Sequence, residues 1–334
     1  MLSGLDDARL PYRGMTGVST AFGTFGELLQ GVLPGGDDFL VTLPIARWSV
    51  ATFRSDPTAH SLRVVPAHKS KARRLVSMIL ADGPGPTGGV LVLDSTLPEG
   101  KGFASSSADL VATARAVDNA LGLGLPPSRV ESYLRRIEPT DGVLYDGIVA
   151  YDHRRVELRR RLGTLRPMSV VGVDEGGVVD TVAFNRLPKP FSAADRREYE
   201  RLLTRLTAAV AEDDLAEVGA VATRSAQLNQ ALRPKRTFHR MIELCEEVGG
   251  LGVVIAHSGT SLGVLLDRAD PHWARKVVRA SRGCVALARN VTTYTTLSFR
   301  TDPAQNARNA QRTRNALDAQ GGQDTQGARD VRSV

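Results

Sequence analysis

Apolar residues recur along the chain with two periods, one typical of strands and one typical of helices. In the first 165 residues, short runs of branched and aromatic residues predict strands at 18–22, 39–43, 48–53 and 90–93. Apolar positions three and four residues apart predict helices at 69–81, from the serine run after 104 to about 121, and at 129–137. Ser128 is the expected N-cap of the last of these helices.

The remainder of the chain mixes the same two patterns. Strands are predicted at 170–173, 178–184, 253–256, 262–266 and 292–299. Helices are predicted at 193–211, 215–232, 236–248 and 271–281. Because strands and helices do not alternate as regular parallel repeats, the sequence predicts an α+β protein of two domains. The polar stripe of Ser225, Gln227 and Asn229 is interpreted as helix surface, with a domain interface as the alternative.

Residues 301–334 differ in composition from the rest of the chain. They are rich in Gln, Asn, Asp, Ala, Gly and Arg and contain almost no large apolar side chains. Such a segment cannot bury enough apolar surface to offset the entropy lost on ordering. We therefore predict a disordered tail.

The chain of 334 residues has a formal net charge of +7, which raises the question of nucleic-acid binding. Six arginines lie between Arg154 and Arg166, and no aromatic residue after Tyr151 alternates with them. Stacking of bases is therefore not indicated, and nucleic acid is not an expected partner. We interpret the cluster as a solvated surface strand or helix. The alternative is that some of these arginines attract an anionic substrate such as ATP.

The two cysteines, Cys245 and Cys284, form no disulfide framework and have no metal-ligand spacing, so buried thiols are predicted. The first 13 residues lack the apolar run of a secretion signal. No stretch reaches the roughly 18 consecutive apolar residues that span a bilayer. We expect a cytoplasmic protein that does not insert into a membrane.

The strongest chemical signal is the glycine- and serine-rich stretch from Leu97 to Ala108, between a predicted strand and a predicted helix. Gly100 and Gly102 permit positive φ angles and close approach of a ligand to the backbone. Amide groups at the start of the helix then form an anion site, which the helix dipole reinforces. The stretch is neither a Walker loop nor a full dinucleotide fingerprint. The residues alone also allow a second interpretation, in which the stretch is only a connector that leads into a serine-capped helix.

Four segments, in order between residues 20 and 265, resemble the motifs of the GHMP kinase superfamily, which includes galactokinase, homoserine kinase and mevalonate kinase. Pro98 to Ser106 resembles the second motif. Phe22 to Gly31 resembles the first motif of the L-threonine kinase branch, which serves cobalamin biosynthesis and propanediol utilisation. Glu138 to Gly142 resembles the catalytic segment of that branch, and His257 to Gly263 takes the place of the third motif.

The resemblance implies a two-lobed GHMP kinase fold with ATP and Mg²⁺ as cofactors and the substrate between the lobes. The N-terminal, ribosomal-S5-like lobe is expected at 1–165 and the C-terminal, ferredoxin-like lobe at 166–300, followed by the tail at 301–334. Residues expected to bind ATP are Pro98, Gly100, Lys101, Gly102, Phe103, Ala104, Ser105, Ser106 and Ser107. The charge of Lys101 is expected to act on the phosphates.

The same resemblance implies roles for several acidic residues. Asp141 is the expected catalytic base, which accepts or orients the proton of the substrate hydroxyl. Ser106 and Glu138 are the expected Mg²⁺ ligands. Glu131 is the alternative to Glu138, since the acidic ligand of the wider superfamily lies about ten residues before the aspartate. Asp94 and Asp109 are further candidates.

Expected substrate contacts are Glu27, Thr140, Gly259 and Thr260. Glu27 could alternatively orient a neighbouring loop. Many members of the superfamily carry a lysine in the first motif, whereas this chain has Thr24 and no lysine from 16 to 68. That departure fits the L-threonine kinase branch better than mevalonate kinase.

The function implied is ATP-dependent phosphorylation of a small molecule, with L-threonine as the expected acceptor and O-phospho-L-threonine as the product. Homoserine, another hydroxylated amino acid or a sugar-like alcohol is the alternative within the same chemistry. The alternative of another class is an inactive kinase-like regulator that binds a ligand or nucleic acid. A homodimer stays open, because the sequence contains nothing that decides the oligomeric state.

Overall fold

The computed structural model describes residues 14–59, 61–83, 87–177, 187–288 and 290–300. The strands are β1 (Thr16–Val32), β2 (Asp38–Ser55), β3 (Leu62–Val65), β4 (Gly89–Ser95), β5 (Ile148–Asp152), β6 (Glu157–Gly163), β7 (Met168–Asp174), β8 (Gly252–Ile255), β9 (Ser261–Asp267) and β10 (Asn290–Thr295). The helices are α1 (Ser70–Asp82), α2 (Ser105–Leu121), α3 (Pro127–Arg135), α4 (Ala193–Glu212), α5 (Leu215–Asn229), α6 (Phe238–Val248) and α7 (Trp273–Leu287). These elements all belong to one compact unit that ends at Ser298.

The described strands form one mixed sheet in the order β10-β7-β9-β8-β1-β2-β4-β3, with β5 paired to β2 and β6 to β5. The pairing of β3 with β4 is parallel, and the other pairings are antiparallel. Strand β1 meets β8 at a single pair, Glu27 opposite Ile255. The boundary predicted at residue 165 falls between β6 and β7, and the two-lobe division stays a prediction.

The long hairpin of β1 and β2 is irregular in its middle. Its register shifts between Phe22 and Gly23, between Thr24 and Glu27, and again before Leu29. Such bulges bend a strand and redirect its side chains. This is the part of β1 that resembles the first kinase motif, and the bulges place it beside the loop that precedes α2, where Gly26 N donates to Gly102 O at 3.1 Å.

Helices cover the sheet through amphipathic or fully apolar faces. Helix α2 packs against β1 and β2 and is buried along most of its length, which is why its apolar and small residues are nearly continuous. Helices α6 and α7 pack on β7, β8 and β9, where Cys245 and Cys284 are buried as predicted. Burial raises the pKa of each of these thiols to about 11. No helix of the described ranges has the length and apolarity of a membrane span.

The element types predicted from the pattern agree with the structure, and several boundaries differ. Pro126 rather than Ser128 is the N-cap of α3, because Pro127 occupies the first helical position, which suits proline. The last helix runs to Leu287 rather than 281, and the last strand covers Asn290–Thr295 rather than 292–299. The arginine-rich segment is a strand, β6, and the short β3 was not predicted. The strand predicted at 178–184 and the tail at 301–334 lie outside the described residues.

The interpretation of the polar stripe on α5 as helix surface was wrong for two of its three residues. Ser225 and Asn229 are buried against β1. Gln30 N donates to Ser225 Oγ at 3.1 Å, and Asn229 Nδ2 donates to Gln30 O at 2.8 Å. These bonds satisfy backbone groups of Gln30, which lies just after the irregular stretch of β1 and outside the single pair that β1 forms with β8.

Candidate active site

A cavity of about 340 Å³ lies where the loop before α2 meets the N-terminus of α1, the bulged part of β1 and two further loops. Its wall contains both backbone amides and ionisable side chains. The predicted site residues among those that line it are Glu27, Gly100, Gly102, Phe103, Ala104, Ser105, Ser106, Ser107, Glu138 and Asp141.

The loop before α2 has the backbone of an anion site. Gly100, Gly102 and Ala104 have φ angles of 68°, 90° and 54°, in the left-handed region. Gly102 is required for space as well, since a Cβ atom there would lie 2.2 Å from the Cβ of Ala256. Helix α2 then starts at Ser105, and the amide groups of its first turn have no partner within the helix. These amides and the positive end of the helix dipole favour a bound phosphate.

Ser106 brings the loop together with the segment that follows α3. Its hydroxyl forms a hydrogen bond with Glu138 Oε1, and Lys71, from the first turn of α1, forms an ion pair with Glu138 Oε2. Glu138 is buried, whereas Lys71 is largely exposed. The Ser106–Glu138 pair consists of oxygen donors at the edge of the phosphate site, which is the donor type that Mg²⁺ prefers.

Ser107 holds Asp141 at the cavity wall. Asp141 N donates to Ser107 Oγ at 3.0 Å, and the same hydroxyl lies 3.3 Å from Asp141 Oδ2. Burial raises the pKa of Asp141 to about 6, the Ser107 hydrogen bond opposes that rise, and the negative charge of Glu138 adds to it. A carboxylate with this pKa is ionised at neutral pH and can take up a proton during a reaction.

Glu27 reaches the cavity from β1. Its neighbour Gly26 has a φ of 55° and passes so close to β8 that a Cβ atom would lie 2.2 Å from Ile255 O. Glu27 is only 4% exposed, and its Oε2 atom has no hydrogen-bond partner among the described residues. Burial, and then the charge of Asp141, raise the pKa of Glu27 well above its ordinary range.

Lys101 lies in the loop, but its side chain does not line the cavity. Its ammonium group pairs with Asp174 Oδ2 at 2.7 Å and donates to Gly177 O at 2.5 Å. Thr260 Oγ1 also donates to Asp174, and a Cβ atom on Gly259 would lie 2.1 Å from Lys101 O. Lys101, Gly259 and Thr260 therefore form the back of the loop, and the structure does not place them at the cavity surface.

Three other predicted residues also lie off the cavity. Thr140 is buried, and its backbone amide donates to His153 O at 3.0 Å. Pro98 is exposed ahead of the loop. Glu131 accepts from Tyr145 Oη at 2.9 Å and from Leu158 N at 3.1 Å, so it holds α3 against β6. Of the two glutamates considered as metal ligands, Glu138 is the one at the cavity.

Lys69 and Lys71 are site residues that the sequence pattern did not predict. Lys69 pairs with Asp109 at 2.6 Å and with Glu99, and both lysines line the cavity beside the loop. The available signal was their position just before or within the first turn of a helix, where a lysine does not favour the dipole. Asp109 lies in this ion pair, and Asp94 is exposed on β4 and does not line the cavity.

His153 and His257 also line the cavity, with ring centroids 4.8 Å apart. His257 Nδ1 lies in hydrogen-bond contact with Gln30 Oε1. Burial, followed by the positive charges of His153, Lys189 and Lys235, lowers the pKa of His257 well below its ordinary range. The burial and the contacts of these two histidines depend on residues far apart in the chain, so the local sequence pattern did not predict them.

The arginine cluster predicted to be a solvated surface lies mostly on β6 and the adjoining turns. Four of its six members pair with acids on neighbouring segments: Arg154 with Asp38, Arg155 and Arg159 with Asp37 and Asp152, and Arg166 with Asp213 and Asp267. These arginines do not line the cavity. The surface interpretation is therefore the one that the contacts favour.

Comparison with known proteins identifies the segment that contains the loop and α2. Residues 70–148 match the family model of the GHMP kinases N terminal domain. The chain is therefore similar to the GHMP kinases in this segment. It is also 29% identical over 258 residues to L-threonine kinase of Salmonella typhimurium, an alignment that covers 75% of this chain and 83% of that protein. The resemblance to the GHMP kinase superfamily and its L-threonine kinase branch is thereby confirmed.

Solved structures confirm the predicted GHMP kinase fold. Homoserine kinase from Cytophaga hutchinsonii superimposes with a TM-score of 0.67 at 17% identity, covering 85% of this chain and 95% of that one. Mevalonate kinase from L. major, in complex with R-mevalonate, gives a TM-score of 0.65 at 16% identity, covering 87% of this chain and 99% of that one. At these identities the likeness is one of fold.

Proposed function

We propose that this protein transfers the γ-phosphoryl group of ATP to the hydroxyl of L-threonine, giving O-phospho-L-threonine and ADP. The broader activity is that of an ATP-dependent phosphotransferase with an alcohol group as acceptor, in keeping with the GHMP kinase domain and the L-threonine kinase relative. The observation that carries the proposal is that Ser107 joins Asp141 to the phosphate loop. One hydrogen-bonded pair therefore places a carboxylate beside an anion site.

The loop and α1 would hold the triphosphate. Backbone amides between Gly100 and Ser107 supply donors that need no reorganisation, which is the form of charge stabilisation that phosphoryl transfer uses most. Lys69 and Lys71 supply positive charge at the same wall, in place of Lys101. Lys71 is exposed enough to move from Glu138 towards a phosphate.

The residues present also fit Mg²⁺. Ser106 Oγ and Glu138 Oε1 would hold the ion, with the remaining positions left to phosphate oxygens and water. Bound there, Mg²⁺ neutralises charge that develops on the phosphates.

Asp141 would act on the acceptor. The hydroxyl oxygen of threonine forms a bond to the γ-phosphorus, the bond from that phosphorus to the oxygen of ADP breaks, and the hydroxyl proton passes to Asp141 Oδ. A pKa of about 6 leaves Asp141 ionised at pH 7.5 and basic enough to accept this proton. Its bond to Ser107 keeps the carboxylate oriented through the step.

The test is an ATP-turnover assay with Mg²⁺ over L-threonine, L-serine, L-homoserine and several sugars, using the wild-type protein and Asp141→Asn. We expect turnover with L-threonine and its loss in the variant. Turnover with another alcohol alone would replace the acceptor and retain the kinase chemistry. ATP binding without turnover on any acceptor would instead support a kinase-like regulator.

A further inference from the structure

Ion pairs satisfy most of the carboxylates around the cavity. Lys69 pairs with Asp109 and Glu99, and Lys71 pairs with Glu138. Glu27 and Asp141, the remaining acidic residues of the lining, form no ion pair with a lysine, arginine or histidine of the described ranges. Among the described residues, this part of the wall therefore has two carboxyl groups and no cation paired with either.

Of these two carboxyl groups, Glu27 is the more deeply buried and the less well hydrogen-bonded. It is almost fully buried, and Oε2 has no hydrogen-bond partner among the residues that the structure describes. A buried carboxyl oxygen without a protein donor is costly, because no described residue replaces the hydrogen bonds that it makes with water in the unfolded chain. The bulges of β1 and the positive φ of Gly26 hold the side chain in this position, so it cannot relax towards solvent.

We propose that Glu27 binds the α-ammonium group of the amino-acid substrate and thereby selects hydroxylated amino acids against uncharged alcohols. The inference rests on the proposed function, and it assigns the group of the substrate that Glu27 recognises. Glu27 is a binding residue in this scheme, and the proton transfer of the reaction is left to Asp141.

The covalent structure of a 2-amino-3-hydroxy acid suits this assignment. Its nitrogen and its hydroxyl oxygen lie on adjacent carbons, so one molecule can place the hydroxyl at Asp141 and the ammonium at Glu27. The two carboxyl groups are near enough for the charge of Asp141 to raise the pKa of Glu27. An ammonium group provides three N–H donors and a full positive charge, which compensates both the missing hydrogen bond and the repulsion.

The cavity also contains basic side chains that could face the carboxylate of the amino-acid substrate. His153 and His257 line the same cavity, and the charges of Lys189 and Lys235 reach His257. Lys235 is 5% exposed, and its ammonium group donates to Gly259 O on the loop that contains His257. Burial lowers the pKa of His257 and lowers that of Lys235 to about 7, so a substrate carboxylate bound at this end of the cavity would favour protonation of both groups.

Binding should then be coupled to proton release. In the empty site the neutral form of Glu27 is favoured, because burial and Asp141 both oppose ionisation. A bound ammonium favours the ionised form. Association of L-threonine should therefore release protons over the pH range in which burial and Asp141 keep Glu27 protonated in the empty site, a readout that is independent of turnover.

The experiment compares L-threonine with (R)-3-hydroxybutanoate, which has the same hydroxyl configuration and carboxylate but no ammonium group. Wild-type protein should favour L-threonine in kcat/KM by about 100-fold, the scale expected for a buried charged hydrogen bond. Glu27→Gln should remove most of this preference by raising KM for L-threonine, with KM for ATP unchanged. Calorimetry in two buffers of different ionisation enthalpy should show proton release on L-threonine binding in the wild type and its loss in the variant.

Glu131→Gln is the matched control, since Glu131 is a buried glutamate that lies outside the cavity. It should keep both the substrate preference and the proton release. If Glu27→Gln weakens both acceptors equally, or proton release persists, the assignment is overturned. Should the variant not fold, equal kcat/KM values for the two acceptors in the wild type would overturn it as well. If the wild type phosphorylates no hydroxylated amino acid, the proposed function itself has failed.

Discussion

Removal of the negative charge of Asp141 is expected to stabilise the fold while it abolishes the activity. The fold raises the pKa of this carboxyl from 3.8 to about 6. Each pKa unit corresponds to about 1.4 kcal/mol. The ionised carboxylate therefore lowers the free energy of unfolding by at most about 3 kcal/mol. The side chain is only half-buried and water reaches the cavity, so solvent reduces this cost. We therefore expect Asp141→Asn to raise the free energy of unfolding by roughly 1–3 kcal/mol at pH 7.5.

The pH dependence follows from the direction of the shift. A carboxyl whose pKa is raised on folding destabilises the folded state when it is ionised, so its cost is absent at pH values below the unfolded pKa of 3.8. The cost grows as the pH rises towards 6 and is constant above it. The stability difference between Asp141→Asn and the wild type should therefore be small near pH 4 and largest above pH 7.

Urea unfolding of both proteins at several pH values measures this difference, and the turnover assay measures the function. Loss of a general base lowers kcat by about 10²–10⁴-fold. Asp94→Asn is the control, because Asp94 is an exposed aspartate on β4 and should change neither quantity. A variant that is less stable than the wild type at pH 7.5, or that keeps full turnover, would refute the assignment of Asp141 as a strained, functional carboxylate.

Three further changes test the phosphate loop and its support. Lys71→Met should raise KM for ATP by about 10-fold or more through loss of a phosphate contact, and an unchanged KM in steady-state assays would argue against that contact. Gly102→Ala should abolish ATP binding in calorimetry, since its Cβ would lie 2.2 Å from Ala256 Cβ, whereas Gly36→Ala, with a similar φ of 89° and open space, should bind ATP normally. If both alanine variants bound ATP equally well, the steric argument for Gly102 would be refuted. Ser225→Ala should lower the free energy of unfolding by about 1–3 kcal/mol, because the buried Gln30 N loses its acceptor, and an unchanged urea midpoint would contradict this.

Helices and the loop were the parts of the fold that the sequence predicted best. Helix α1 repeats apolar residues on one face, and α2 begins after two glycines and ends at Gly122, so local signals are sufficient there. Strands β1 and β2 run to 17 and 18 residues and contain residues such as Gly26 and Pro44 that interrupt a strand pattern. Pairing with distant strands overrides those local preferences, and no local pattern encodes it.

Buried polar groups were the second class of feature beyond local reasoning. Ser225 and Asn229 look like helix surface because their partner, the backbone of Gln30, is 195 or more positions away in the chain. Glu27 presents the same difficulty, since its direction depends on the bulges that attach β1 to the loop. The residue types of these positions were visible in the sequence, whereas their burial was not.

Lys71 lines the cavity, whereas Lys101, which lies in the loop itself, does not. The backbone conformation of the loop explains this difference. Lys101 lies between two glycines with positive φ, and these glycines turn the chain. As a result, amides at the end of the loop face the cavity, whereas the Lys101 side chain pairs with Asp174 behind the loop. Where backbone amides bind the anion, the side chains of the same residues are directed away from it. Any additional positive charge must come from another element, and in this protein Lys71 of α1 is the lysine at the cavity wall that we propose for this role. The position of Lys101 inside the loop is therefore not by itself evidence that its side chain contacts a phosphate.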